Sequence, residues 1–270
     1  MSGTLLLNSA EWHQQLALLV DKIGSDDFVL QLSAAICSIT QYNHIAVYTL
    51  STKEVPTVLF HNLPEQWAKP TFPSYCEGAY LLDPIAQFCF NDAPSGAYHL
   101  KDLAPDHFKQ SEYFKRYYKN IGLRDESVLL LKLKPDYYIA HSIGHRFSSL
   151  GRMNKREQQR LHYATPTLLA ICRQHWSSVL NNEKVDDSSA KNIAAAFHQF
   201  GAEVLTSREQ EIVREVLKGH SNKSIAENLY ISFETVKVHR KHINNKLGTS
   251  SHAQLFSSFI SYLTNSLDQA

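Results

Sequence analysis

Between Ile231 and Gly248 the charged side chains are Lys237, Arg240, Lys241 and Lys246 against the single acid Glu234. At the helical period of about 100° per residue, Glu234, Lys237, Val238, Lys241 and Asn245 share one face. Val236, His239, Ile243 and Leu247 share the opposite one and can seat the helix on its neighbours. Lysine donates to guanine O6 and N7, and valine meets a thymine methyl. Cations on the same helix can neutralise phosphates. The chemistry those residue types allow is contact with duplex DNA. The bland alternative is a three-helix domain whose basic face is merely solvated.

A second set lies upstream. Trp67, Tyr75, Tyr80, Asp83 and Tyr98 could wall an apolar pocket, with one carboxylate to hold a polar head group. Against this, the aromatics could be core and Asp83 a helix cap before Pro84. His141 and His145 alternate with Ile143 on one side of a predicted strand, as the first two ligands of a metal site would. No third ligand follows at a recognisable spacing, so hydrogen-bonded or solvated strand histidines are the better reading. Lys115-Arg116-Tyr117-Tyr118-Lys119 reads as a solvated helix face over buried tyrosines, and Arg124-Asp125-Glu126 as a loop of surface charge. There is no glycine-rich phosphate loop and no nucleophile motif. The expectation is therefore no catalytic residue, no metal ligand and no cofactor.

These residues need elements to position them. Thr206 with Glu209 is a capping box opening a helix that runs to Lys218, where Gly219 stops it. A short helix follows over about Lys223 to Leu229, Tyr230 and Ile231 turn the chain, and Ser232 caps a third helix ending at Leu247 before Gly248. Two helices joined by such a turn make a helix-turn-helix unit, whose second helix enters the major groove.

Upstream, amphipathic helices are predicted over Asn8–Ile23, capped by Asn8 and Glu11, and over Asp26–Thr40. Strands follow at His44–Leu50 and Pro56–Phe60, then a helix over Tyr75–Phe90 and a short strand at Ala97–Leu100. Pro105–Asn120 has helical character. Ser127–Leu133 and Tyr138–Phe147 are strands around a Lys134-Pro135-Asp136 turn. A long helix begins near Asn154 with Glu157 as capping partner, and Pro166 predicts a kink or break at Thr165. This order predicts an α/β domain: an antiparallel sheet flanked by helices, of the GAF or PAS kind, followed by a small all-α domain of four helices. It does not suit a phosphoacceptor receiver, which alternates β and α around a parallel sheet.

The C-terminal stretch resembles the LuxR/NarL-type helix-turn-helix domain of bacterial transcription regulators. The resemblance is carried by Leu205-Thr206-x-Arg208-Glu209, Gly219-x-Ser221-Asn222-Lys223-x-Ile225-Ala226, Ile231-Ser232-x-x-Thr235-Val236-Lys237-x-His239 and Lys246-Leu247-Gly248. It implies that Lys237, Val238 and Lys241 reach base edges. It also implies that Asn222, Lys223, Ser232, Thr235, His239 and Arg240 lie near phosphates. The last helix, about His252–Leu263, would pair two such domains through Ala253, Phe256, Phe259, Ile260 and Leu263. At Thr249-Ser250-Ser251-His252 the chain departs from the pattern, in which an arginine often follows the serine.

The set Trp67, Tyr75, Tyr80-Leu81-Leu82-Asp83-Pro84-Ile85 and Gly96-x-Tyr98 resembles the acyl-homoserine-lactone domain of quorum-sensing receptors. There the tryptophan and aspartate bind the lactone and amide ends of the signal. The Trp-to-Asp spacing is longer here, and Tyr98 stands where a second tryptophan is expected.

The whole chain sets the frame. Its 270 residues suffice for two domains, and 43% hydrophobic content supports ordinary cores. A net charge of +1 hides the local basic helix. Cys37, Cys76, Cys89 and Cys172 form no C-x-x-C pair and read as reduced thiols of a cytoplasmic protein. MSGTLLLNSA reads as neither signal peptide nor anchor, and no apolar run is long enough to span a membrane.

The reading is a sensor domain over 1–180, a linker over 181–202 made of a polar stretch at Asn181–Lys191 and a short helix at Asn192–Gly201, and a DNA-binding domain over 203–270. The expected partners are double-stranded DNA, a small-molecule ligand, a second copy of the chain and RNA polymerase. The runner-up is a receptor for an acyl-homoserine lactone. Behind it stands a metal-dependent enzyme, using His141 and His145, tethered to DNA.

Overall fold

A computed structural model of the chain describes residues 4–146, 153–179 and 188–267. The first layer is a helical pair, α1 (Ala10–Asp21) and α2 (Phe28–Ile39). Ser9, not Asn8, caps α1, accepting the Trp12 amide 3.2 Å away. Trp12 and Leu19 of α1 are buried, as are Phe28, Leu32 and Ile36 of α2.

The strands are β1 (His44–Leu50), β2 (Val58–His61), β3 (Gly96–His99), β4 (Leu123–Lys134) and β5 (Tyr137–Arg146), in the order β2-β1-β5-β4-β3. Every pairing is antiparallel, as expected. Asp136, at φ 55°, makes the turn between β4 and β5.

Between β2 and β3 the predicted helix over Tyr75–Phe90 is three pieces: α3 (Glu65–Cys76), a 3-10 turn (Ala79–Leu82) and α4 (Pro84–Phe90). The chain breaks at Gly78, whose φ of 143° no helix accommodates. Asp83 then caps α4, accepting the Ile85 amide at 2.8 Å with Pro84 at the first helical position. From β3 the chain passes through α5 (Leu100–Leu103), a turn (Phe108–Gln110) and α6 (Glu112–Phe114), which widens into a π-type turn at Lys115–Lys119.

Helix α7 (Lys155–Val179) is opened by the reciprocal pair expected of Asn154 and Glu157, at 2.9 and 3.0 Å. It runs through Pro166 without the predicted break. Thr165 Oγ1 donates to the Leu161 carbonyl at 2.7 Å. Leu161, Ala164, Leu168 and Cys172 are all buried, so packing holds the helix on both sides of the proline.

Side chains alternate across the sheet. Leu129, Leu131, Ile139 and Ile143 face the core with α2 and α7, and Val128, Leu130, Tyr138 and Ala140 face a second core. That second core is continuous with the C-terminal helices α8 (Ser188–Gln199), α9 (Ser207–Lys218), α10 (Asn222–Asn228), α11 (Phe233–Leu247) and α12 (His252–Leu267). Phe197 and Phe200 pack edge-on against Phe259, with ring centroids 5.5 and 5.4 Å away. The α12 stripe read as a pairing surface is therefore covered by α8 of the same chain. Leu255, Phe256, Phe259 and Leu263 are all buried, while Ala253 stays exposed.

All four cysteines are free thiols. Among the described residues no helix is long and apolar enough to cross a membrane. Phe259→Ala removes a fully buried ring from the α8–α12 junction and is expected to lower stability by about 3 to 5 kcal/mol. Urea unfolding followed by circular dichroism measures this.

Candidate functional site

The capping signals read from sequence are all made in α9–α11. Thr206 and Glu209 form a reciprocal box, and Gly219 and Gly248 close their helices at φ 99° and 63°. Ser232 caps α11, accepting the Thr235 amide at 3.0 Å. Val236 and Ile243 are buried, which turns the opposite face outward. Lys237, Val238 and Lys241 are exposed, with Val238 retaining 53% of its surface. An isolated valine this open on a capped, basic helix has no packing role in the chain.

The residues expected near phosphates split into two groups. Lys223 and Ser232 are exposed, and Thr235 and His239 are half-buried. Lys223 pairs with Glu227 at 4.0 Å, and Lys237 pairs with Glu234 at 3.2 Å and lies 5.4 Å over the Phe233 ring, all on the exposed surface. Such surface pairs give way readily. Asn222 and Arg240 are engaged with each other, Arg240 donating to Asn222 Oδ1 at 2.6 Å and also meeting His252. His252 sits where the family pattern often has arginine, and here it contacts the other basic side chain directly.

The helix-turn-helix is docked on residues 105–116. Gly219 O accepts the His107 amide at 3.1 Å, and the Ser221 amide at the start of α10 donates to Asp106 Oδ1 at 2.9 Å. Arg116 lies 4.8 Å over the Phe256 ring and donates to Ser257 at 3.0 Å. Asp106 thus meets the end of the helix where Asn222 and Lys223 were expected to meet phosphate.

The upstream set is only partly brought together. Tyr75 donates to Asp83 Oδ2 at 2.7 Å, and both line a cavity of about 60 Å³ under the sheet. Trp67 lines a groove beside Arg116 and Asn120. Tyr80 packs between Tyr75 and Phe90 and faces a different cavity shared with Phe197 and Arg214. Tyr98 stacks edge-on against Phe88 and donates to Pro94 O at 2.8 Å.

The rest of the cavity wall was not foreseen. Tyr48 comes from β1, Tyr113 from α6, and Tyr117 and Tyr118 from the π-type turn. Glu126 comes from β4 and Ser142 from β5. Glu126 accepts from Tyr118 at 2.7 Å and from Ser142. The surface-charge reading of Arg124-Asp125-Glu126 is therefore overturned, since Asp125 and Glu126 are buried on a strand that starts four residues earlier than predicted. Counting back by two from Val128, a core residue, would have turned Glu126 inward. Tyr117 and Tyr118 are buried and Lys115 and Lys119 exposed as read, but Arg116, read as solvated, is engaged with Phe256 and Ser257.

Electrostatics mark this cavity. Burial pushes the Asp83 carboxyl up to about 6, against hydrogen bonds from Tyr75 and the Ile85 amide. Burial, with repulsion from Asp83, pushes Glu126 up to about 7. Tyr118 and Glu126 also line a neighbouring cavity of about 400 Å³, whose far wall includes Asp106 and Phe108 of the docking segment. His141 lies on the other face of the sheet. Its Nδ1 bonds to Leu129 O and its Nε2 accepts from Trp176 Nε1, each at 2.9 Å, leaving no ring nitrogen for a metal. His145 stacks near Tyr42, and its Nδ1 is buried.

Residues 203–259 match the model of bacterial regulatory proteins, luxR family. A relative from Aeromonas salmonicida, which carries the provisional name of an HTH-type transcriptional regulator in the exeN 3'region, is 28% identical over 187 residues. The match spans 67% of this chain and 94% of that one. The oxygen regulatory protein NreC of Staphylococcus epidermidis is 38% identical over 76 residues, 28% of this chain and 34% of its own length. Among solved structures, the VqsR LBD domain from Pseudomonas aeruginosa superposes with a TM-score of 0.53 at 22% identity, covering 62% of this chain and 97% of that domain. Residues 203–259 are thus a LuxR-family helix-turn-helix domain, joined to an N-terminal half with the fold of that Pseudomonas domain.

Proposed function

We propose that this chain is a cytoplasmic, sequence-specific DNA-binding transcription regulator whose N-terminal domain, residues 1–180, senses a small molecule. Residues 203–270 bind the DNA, and 181–202 connect the two. The observation that carries the reading is the outward face of α11, where Lys237, Val238 and Lys241 are exposed while Val236 and Ile243 bury the other side. Lys237 and Lys241 reach guanine edges and Val238 a thymine methyl. Lys223, Ser232, Thr235 and His239 hold the backbone, joined by Asn222 and Arg240 once their mutual bond opens. A second copy of the chain would place two such helices on half-sites roughly 34 Å apart. RNA polymerase is the natural further partner of a regulator that activates.

The sensing residues on this reading are Tyr75 and Asp83 together with the tyrosines and Glu126 that complete their cavity. Trp67, Tyr80 and Tyr98 support the surrounding packing. The mechanism is a population shift. The docking segment that holds Gly219 and Ser221 also walls the larger cavity beside Glu126, so occupancy there biases docked against released arrangements.

Two outcomes follow for purified protein on DNA selected by the wild type from a random pool. Lys237→Ala and Lys241→Ala each weaken binding by about 1–3 kcal/mol, roughly 5- to 150-fold, with circular dichroism unchanged. Unchanged footprints in both variants count against the assignment. Asp106→Ala removes a charge-assisted bond that stabilises only the docked state, worth about 1.5–3 kcal/mol. It should raise DNA affinity up to that limit in fluorescence anisotropy at fixed salt, and a fall would show that Asp106 supports binding.

A further inference from the structure

We propose that the cavity beneath the sheet is a recognition site for a small organic cation, an alkylammonium head group of about five non-hydrogen atoms. The inference deepens the sensor reading and rests on it. The wall is built from aromatic faces and acids. Tyr48 and Tyr75 meet edge-on with centroids 5.5 Å apart, and Tyr113 and Tyr117 lie nearly parallel at 4.8 Å. Phe72 adds another apolar surface from α3. Asp83 and Glu126, both buried, enter from the end of the 3-10 turn and from β4. Lysine and arginine are absent from the wall among the described residues.

Three features of this wall select its ligand. Ring faces carry negative potential and attract a cation, most strongly where water is excluded. Each carboxylate has about four lone-pair positions. Tyr75, Tyr113 and the Ile85 and Ala86 amides direct hydrogen bonds at Asp83 and hold it in place, whereas Glu126, bonded by Tyr118 and Ser142, keeps acceptor capacity for a ligand. An anion would meet two acids and neither lysine nor arginine, with His44 the one basic side chain among the described lining residues. A volume of about 60 Å³ holds roughly four to six waters at 10–15 Å³ each, enough for a compact head group.

The acids also set a pH dependence. The titratable groups facing Asp83 include Glu126 on β4, Tyr48 on β1, Tyr75 on α3, Cys89 on α4, Tyr113 on α6 and Tyr118 on the π-type turn. Those facing Glu126 are Tyr118 across the cavity, Asp125 on its own strand, Asp83, and Tyr48 and Tyr113. His44 on β1 lines the same cavity. With Asp83 near 6 and Glu126 near 7, both acids are largely neutral at pH 5 and largely charged at pH 8. A cation binds the charged form, so affinity rises with pH across that window and binding near pH 7 releases protons.

The test is a thermal-shift and calorimetric titration of the full chain with choline and propylammonium as cations. Against them stand 3,3-dimethyl-1-butanol as the uncharged isostere of choline, pivalate as the anion, and N-butanoyl-homoserine lactone. At least one cation should raise the melting temperature and bind at least tenfold more tightly than the isostere. Its affinity should climb from pH 5 to pH 8, and calorimetry in buffers of different ionisation enthalpy should show proton release. Glu126→Gln, checked by circular dichroism, should weaken the cation at least tenfold and flatten the pH profile. Equal binding of choline and its isostere overturns the proposal, as does binding of the lactone or pivalate alone, or binding of no probe. The isostere comparison uses wild-type protein, so it decides even if the variant does not fold. DNA binding measured on the same samples separates the two readings, because loss of the ligand class leaves the Lys237 and Lys241 effects in place.

Discussion

The constraint on which the rest depends is the alternation of side chains along β4 from Glu126 to Leu131, between the two register shifts of the β4–β5 hairpin. Leu129 pairs with His141 and Leu131 with Ile139 on one face, Val128 with Ser142 and Leu130 with Ala140 on the other. The first face is sealed by α7, where Trp176 donates to His141 and burial pushes the imidazole down to about 4. A neutral histidine can accept that bond and donate to Leu129 O at once. The second face carries Glu126 and Ser142 into the cavity. A slip of one residue would exchange the faces, putting Glu126 beneath α7 and His141 among the tyrosines. The antiparallel register is therefore a condition of the site as much as of the fold.

The same hairpin connects the cavity to the DNA-binding half by short steps. Glu126 accepts from Tyr118, which stacks on Phe114 at 5.5 Å and meets Phe108 edge-on at the same distance. Phe108 in turn lies under Gly219, where a Cβ would stand 3.0 Å from its Cα. Glycine at 219 thus serves two needs, the left-handed C-cap of α9 at φ 99° and the close approach of the docking segment. The cavity and the start of α10 are joined by packed aromatic rings, with Asp106 supplying the polar contact at the end.

Much of this order could be read from residues alone, and the exceptions share a physical cause. The caps at Thr206, Ser232 and Gly248 and the Asn154–Glu157 pair are local signals that long-range packing does not override. The antiparallel sheet followed from alternating apolar residues. The long-range sites were harder. Tyr75 and Asp83 are eight residues apart and were read together, whereas Glu126 and Ser142 reach them only through sheet pairing. Acidic residues are seldom fully buried, so Arg124-Asp125-Glu126 read as surface. The Asp125 carboxylate is instead held by His99 at 3.1 Å and the Met153 amide at 2.7 Å. Trp67, an aromatic near Asp83 in sequence, lines a groove beside Arg116 and Asn120.

The stripe on α12 sharpens the meaning of the docked arrangement. Phe256 and Phe259 are the large apolar residues of the stripe that the family resemblance offers for pairing, and here Phe259 is held between Phe197 and Phe200 while Arg116 covers Phe256. Pairing through this stripe therefore requires α8 to leave and the Arg116 contact to break. The Arg116 contact belongs to the docking face that includes Asp106 and His107. Undocking of the helix-turn-helix and exposure of Phe256 are coupled by that shared boundary, whereas Phe259 is restrained separately, by Phe197 and Phe200 of α8.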